Sequence, residues 1–177
     1  MSGPASYRVV LAKPEHFDAI RAVERAAEEI VPLEDLPLAL RGAMLTPNEE
    51  LAEALRNGLL WCGLDARGEV VGFAIVLRRG HDFHLDEIDV HPAHQRRGIG
   101  RALVGAARAR AVADGAARLT LTTFRFVPWN QPWYERLGFA GLAEAAMPLA
   151  LREIYEAEIA SGLARERRVA MTLELAR

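Results

Sequence analysis

The sequence holds one cysteine, Cys62, so no disulfide can form within the chain. Cys62 lies in the apolar run Leu59-Leu60-Trp61-Cys62 and reads as a buried strand thiol, which suits a reducing compartment. No apolar run approaches the ~20 residues of a membrane-spanning helix. The first residues carry no apolar h-region, and the expected location is the cytoplasm, away from any membrane. A dominant charge is missing too. The formal net charge of −2 makes no global field for nucleic acid. His81, His91 and His94 stand in turns without metal-ligand spacing, so no metal is expected. Internal repeats and low-complexity tracts are absent. What remains, 51% hydrophobic and 26% charged in 177 residues, is enough for one core and one domain spanning 1–177.

Residues 7–12 are rich in β-branched side chains and predict a first strand. Pro14 opens a helix whose inward stripe is Phe17, Ile20, Val23 and Ala27. Residues 31–45 read as loop or short helices. Thr46-Pro47-Asn48-Glu49 has the form of a capping box, opening a helix that ends near Gly58. Strands follow at 59–64 and 69–79, joined by the turn Asp65-Ala66-Arg67-Gly68, and a third runs over 83–90. A helix over 98–113 turns inward Ile99, Ala102, Leu103, Ala106 and Ala109. A strand at 117–123, a short helix at 130–137, a helix from Pro148 and a closing strand at 167–175 complete the chain. Hairpins followed by a strand–helix–strand unit imply a mixed sheet with helices on both faces, an α/β (α+β) fold.

The most informative segment runs from Val90 to Leu103. A strand ends, a polar turn follows, and a helix begins at Gly98 and Gly100. A helix start carries unpaired N–H groups and about half a positive charge. Glycine lets a ligand approach that backbone closely. Arg96, Arg97 and Arg101 crowd this positive end, where cations are unfavourable by ~0.3–1 kcal/mol each. An anion joining them resolves the conflict. The segment is no P-loop, since the Lys-Ser/Thr pair is missing, and Leu103 replaces the third glycine of a dinucleotide fingerprint.

The pattern V-x-P-x-x-Q-x-x-G-x-G-x-A-L, filled by Val90, Pro92, Gln95, Gly98, Gly100 and Leu103, resembles the acetyl-CoA motif of the GNAT N-acetyltransferases. Asn130 to Phe139 is similar to that family's second signature, a tyrosine helix closing in Y-E-x-x-G-F. The resemblance covers about residues 7 to 145, more loosely beyond. It implies a mostly antiparallel twisted sheet of about six to seven strands and acetyl-CoA as cosubstrate. The backbone N–H groups of Gln95, Arg96, Arg97, Gly98, Ile99, Gly100 and Arg101 would cradle the pyrophosphate. Ile88, Asp89 and Val90 would pair with the pantetheine arm, and the Val90 N–H would polarise the thioester carbonyl. Asn130 stands closer to the tyrosine than in many members, as a cofactor contact or a helix cap.

Tyr134 occupies the family's acid position and would protonate the leaving thiolate, whose thiol pKa is roughly 8.5. The attacking amine, with a pKa near ~10.4, needs a proton acceptor. Simple alternation on the third strand puts His84, Asp86, Ile88 and Val90 on one face, so His84 and Asp86 are the candidate bases and Glu87 points away. Trp129 and Trp133 read as core or cleft lining, and Glu153, Glu156 and Glu158 as a solvated helix face. The resemblance assigns acceptor choice to residues 31–47, 124–133 and 140–148, where Glu34 and Asp35 would welcome a cationic amine. The implied acceptor is a small-molecule or peptide amine, and a homodimer is compatible with the family. Two other readings stay open at this point. One is a non-catalytic acyl-CoA sensor, which binds CoA without turnover. The other is an unrelated phosphate-binding protein, which binds nucleotides as well as CoA.

Overall fold

The computed structural model describes residues 7–175. The strands β1 (Arg8–Leu11), β2 (Leu60–Leu64), β3 (Val70–Arg79), β4 (Asp82–Val90), β5 (Arg118–Phe124), β6 (Ala140–Leu142) and β7 (Arg168–Glu174) form one sheet. Their order is β1-β2-β3-β4-β5-β7-β6, and only β4 and β5 run parallel. The helices are α1 (Phe17–Glu29), α2 (Asn48–Arg56), α3 (Ile99–Ala113), α4 (Gln131–Arg136) and α5 (Leu149–Ala160). Among the described residues no helix is long and apolar enough to cross a membrane.

Two apolar layers sandwich the sheet, because its central strands are apolar on both faces. On one face α1 and α2 bury Ile20, Val23, Leu51 and Ala54 against Leu60, Cys62, Phe73 and Ile75. On the other, α3 buries Ile99, Leu103, Val104, Ala107 and Ala111 against Trp61, Ala74, Val76 and Leu85. The α3 stripe thus differs from expectation: Ala102 and Ala109 face solvent. Alanine is too small to mark a face, whereas Ile99, Leu103 and Val104 do. α5 covers the distal strands, with Leu151 and Tyr155 against Ala170.

Three local expectations are corrected. Thr46 caps nothing: Pro47 is the N-cap residue of α2 and no side chain caps it. The Thr46 N–H and hydroxyl instead donate to Glu24 Oε1 at 2.7 and 2.8 Å. A buried carboxylate offers charge-assisted bonds that outbid a solvent-exposed cap. Strand β6 was not anticipated from Ala-Gly-Leu, which has no β-branched residue; it forms because β7 presents an open edge, with Ala140 opposite Thr172. Strand β4 also breaks simple alternation. Ile75 lies opposite Glu87 and Val76 opposite Leu85, so Asp86 is the extra residue of a bulge.

The start of α3 is held by close approach. A Cβ built on Gly63 of β2 would meet Ile99 Cγ2 at 2.6 Å, and Ile99 is only 2% exposed. A β-branched side chain locked in the core has little room to move. Gly63→Ala is therefore expected to destabilise the fold by about 1–3 kcal/mol, read as a lower midpoint in urea. A Gly105→Ala control, at a glycine with nothing within 4 Å of its built Cβ, should not weaken it.

Candidate functional site

The parallel pairing of β4 with β5 covers only Phe83 with Leu119 and His84 with Thr120. Beyond these residues the strands part, and the sheet opens into a cleft of about 450 Å³. The bulge at Asp86 sits where the parting begins, so the local kink and the loss of pairing coincide. The His91 N–H donates to the Val71 carbonyl at 2.9 Å. Antiparallel residues alternate in direction, so Val90 turns its N–H and carbonyl to the other side, into the gap. Its carbonyl there accepts from Gln95 Nε2 at 3.2 Å, which ties the turn to the strand end.

The turn gathers open backbone donors. Arg96 has φ 59° and Gly98 φ 86°. A left-handed arginine is a strained backbone, and such strain collects at ligand-binding turns. Alternating backbone hands aim successive N–H groups into one concavity. Gly98 is the N-cap residue of α3 and no side chain caps that helix. The first helical bond runs from the Ala102 N–H to the Gly98 carbonyl at 3.0 Å, which leaves the N–H groups of Ile99, Gly100 and Arg101 without helical partners. A Cβ on Gly100 would meet Trp133 Cζ2 at 3.1 Å, so glycine lets the helix start lie against that indole.

The side chains of this turn separate by role. Gln95, Arg96, Gly98, Ile99, Gly100 and Arg101 line the cleft. Arg97 does not; its Nη1 donates to Tyr7 Oη at 2.9 Å, across to the residue before β1. The Gln95 N–H is turned to the Pro92 carbonyl at 3.4 Å, so the open donors begin at Arg96. None of Arg96, Arg97 and Arg101 forms an ion pair among the described residues.

Tyr134 lines the same opening on α4, with its ring edge-on to Trp133 and Phe139. Burial raises its phenol above the ordinary value, and the nearby Glu87 and Asp89 charges raise it further. The hydroxyl therefore keeps its proton. Asn130 is the N-cap residue of α4, yet its side chain does not cap that helix; Nδ2 donates to Thr123 Oγ1 at 2.9 Å, bridging the helix to β5 at the cleft wall.

The expected common face of His84, Asp86, Ile88 and Val90 is overturned by the bulge. Phe83, Leu85, Ile88 and Val90 belong to the α3 side of the sheet. His84 is 1% exposed, bonded through Nδ1 to Thr120 Oγ1 at 3.0 Å, and not part of the cleft wall. Burial, then the charges of Arg79 and Arg168, depress its imidazolium to about 3. His84 is a neutral core residue that joins β4 to β5 at their last shared pair.

Asp86, Glu87, Ile88 and Asp89 all line the cleft. Burial pushes the Asp86 carboxyl up to about 6, with Glu50 adding to the shift and Arg79 opposing it. Glu87 is raised well above the usual range by burial, then by Asp89, Glu24 and Asp86. Burial, then Glu24 and Glu28 of α1, raise Asp89 likewise. Glu87 and the acidic side of Asp89 were not found by simple alternation; only the bulge reveals their direction. Glu34 and Asp35 are instead consumed by Arg167, whose guanidinium donates to both carboxylates at 2.9–3.1 Å. Glu158 is not a solvated residue: it lines the cleft and holds Arg168 at 2.8 and 3.1 Å.

The sequence model of the acetyltransferase (GNAT) family matches residues 22–139, more than half of the chain. Among solved structures, N-acetylglutamate synthase from Neisseria gonorrhoeae, complexed with coenzyme A and N-acetyl-glutamate, superposes with a TM-score of 0.75 at 18% identity, over 99% of this chain and 37% of that one. The chain thus spans 37% of the length of that synthase. The ribosomal-protein-S18-alanine N-acetyltransferase from Escherichia coli gives a TM-score of 0.64 at 19% identity, covering 97% of this chain and 96% of its own. PaiA N-acetyltransferase from Thermoplasma acidophilum, in complex with coenzyme A, gives 0.70 at 14% identity, covering 96% and 99%. At these identities the likeness is one of fold.

Proposed function

Since this chain belongs to the acetyltransferase (GNAT) family, we propose that it moves the acetyl group of acetyl-CoA to a primary amine by direct attack, with both substrates held in the one cleft. The observation that carries this reading is a convergence at one opening. Unpaired N–H groups at the start of α3, the outward Val90 N–H, a protonated phenol and a carboxyl near neutrality all face the gap between β4 and β5.

The residues present suit the cosubstrate. The N–H groups from Arg96 to Arg101 would hold its pyrophosphate, with the charges of Arg96 and Arg101 beside them. The unpaired edge of Ile88, Asp89 and Val90 would run beside the pantetheine arm. When bound, acetyl-CoA supplies a thioester carbonyl and a thiolate leaving group. The Val90 N–H donates toward the carbonyl oxygen, where charge develops. Asp86 accepts the proton that the amine must lose; a base with a pKa near 6 is ionised at neutral pH yet still basic enough to serve. The Tyr134 hydroxyl donates its proton toward the departing sulfur. The buried thiol of Cys62, pushed up to about 12 by burial, takes no part. A cytoplasmic location belongs to the same reading.

Release of free thiol from acetyl-CoA, followed with a panel of amines, tests it. Turnover that depends on both substrates is expected. Binding of CoA without turnover on any amine points to a sensor instead, and equal binding of nucleotides lacking pantetheine removes the cosubstrate assignment. The arginines add a graded expectation. Arg96→Ala and Arg101→Ala should each raise KM for acetyl-CoA about fivefold at low salt, with the effect shrinking in about 0.5 M salt. Arg97→Ala should do less, because its guanidinium is turned to Tyr7.

A further inference from the structure

The wall that β4 and α1 give the cleft is acidic, and that bears on the acceptor. Resting on the acetyl-transfer reading above, we propose that the acceptor is a small amine with at least two cationic nitrogens, one presented at Asp86 and the other held by Glu28 and Asp89 under α1. These carboxylates are no free-standing cluster. They line the same cleft as Arg96 and Arg101.

The other charges of this wall are already matched. Glu24 is satisfied by the Thr46 N–H, the Thr46 hydroxyl and Arg21 Nη1, the last at 2.9 Å. Arg168 is satisfied by Glu158. Glu28, Asp86, Glu87 and Asp89 have no ion-pair partner among the described residues. Glu28 accepts one backbone N–H, from Gly42 at 2.8 Å. Arg25 and Arg41 act on Glu28, Arg79 on Asp86 and Arg168 on Glu87, but none makes ion-pair contact with them, so these carboxyls are a costly arrangement unless a ligand brings a cation against them. Burial raises the proton affinity of all four, and a cation brought against them offsets that cost.

The remaining wall suits a hydrocarbon spacer between two charges, since Ala27, Ile30, Val31, Leu36 and Met44 line it. A metal ion is a poorer match, because no group of His, Cys, Asp or Glu among the described residues is arranged to hold one. An acceptor with a free carboxylate is poorer still. Arg168, the basic residue that β7 adds to the cleft lining, is spent on Glu158.

The test compares α,ω-diaminoalkanes of four to six carbons with n-alkylamines of the same length, and with L-glutamate, in the acetyl-CoA thiol-release assay. At pH 8 the diamines should be favoured in kcat/KM by about tenfold or more, mainly through KM. The preference should shrink as pH falls through about 6, where Asp86 takes up its proton and the raised Glu28, Glu87 and Asp89 lose charge sooner than ordinary carboxylates, and in high salt, which screens them. In the Glu28→Gln/Asp89→Asn double variant the diamine-to-monoamine ratio should fall toward one. Calorimetry on the CoA-loaded wild type should show proton release when a diamine binds. Monoamines acetylated as well as diamines, or glutamate preferred, would overturn the proposal while leaving acetyl transfer standing. Failure of every amine, together with failure to bind acetyl-CoA, would remove both.

Discussion

Replacing Tyr134 by phenylalanine is expected to lower kcat by about a hundredfold or more at pH 7, while KM for acetyl-CoA stays within about twofold. The hydroxyl is the only group removed, and the ring contacts are kept. The Trp133 and Phe139 rings lie 4.8 and 5.7 Å from the Tyr134 ring, and a phenyl side chain fills the same space. Burial and the carboxylates of Glu87 and Asp89 hold the phenol protonated across the neutral range, so it is a donor throughout. The departing thiolate needs that proton most below its own pKa of roughly 8.5. The deficit of the variant should therefore narrow above about pH 9, where the thiolate leaves unaided. A kcat equal to wild type at pH 7, in a variant with an unchanged melting curve, would assign Tyr134 to packing alone.

Asp86→Asn should lower kcat/KM by about 10²–10³-fold and abolish its rise with pH. In the wild type the base must be ionised, so kcat/KM should climb through about pH 6 and then level. Glu50, Glu158 and Glu24 face Asp86 and favour its protonation, while Arg79 opposes them; these groups set where the limb falls. The same residue has the opposite effect on stability. Its folded pKa of about 6 lies above the ordinary 3.8, so the folded chain binds this proton more tightly than the unfolded chain. The stability it contributes is greatest below about pH 3.8 and is lost as pH rises through about 6. At pH 8 the ionised carboxylate costs about 1–3 kcal/mol, so Asp86→Asn should melt higher than wild type there and no higher near pH 4. A variant that is slow, more stable at pH 8 and flat in its pH profile fits a base held in place against its own solvation. A pH profile unchanged in the variant would move the proton transfer to Glu87, the other cleft carboxyl at the bulge.

Much of the frame was legible residue by residue. Val90 to Leu103 combined a strand end, two glycines and three arginines at the unfavourable end of a helix. The structure supplies the uncapped helix start that the combination implied, and adds a left-handed Arg96 that no local pattern announced. Tyr134 was readable from its place before Glu135 and Gly138-Phe139, and it does line the gap. The acidic wall was not readable. The residues that drew attention, Glu34 and Asp35, face Arg167, more than a hundred positions away in the chain. Whether a carboxylate is free depends on which cation the fold brings to it, and no local pattern records that.

The sequence by itself determined the strand–turn–helix with its uncapped start, because propensity and glycine placement act over a few neighbouring residues. Only the tertiary structure decided which way β4 points its acids. One extra residue at Asp86, set by pairing with β3, turned Glu87 and Asp89 toward α1 and buried His84 against β5. In a strand a shift of one residue exchanges the two faces, and that register is chosen by the neighbouring strand.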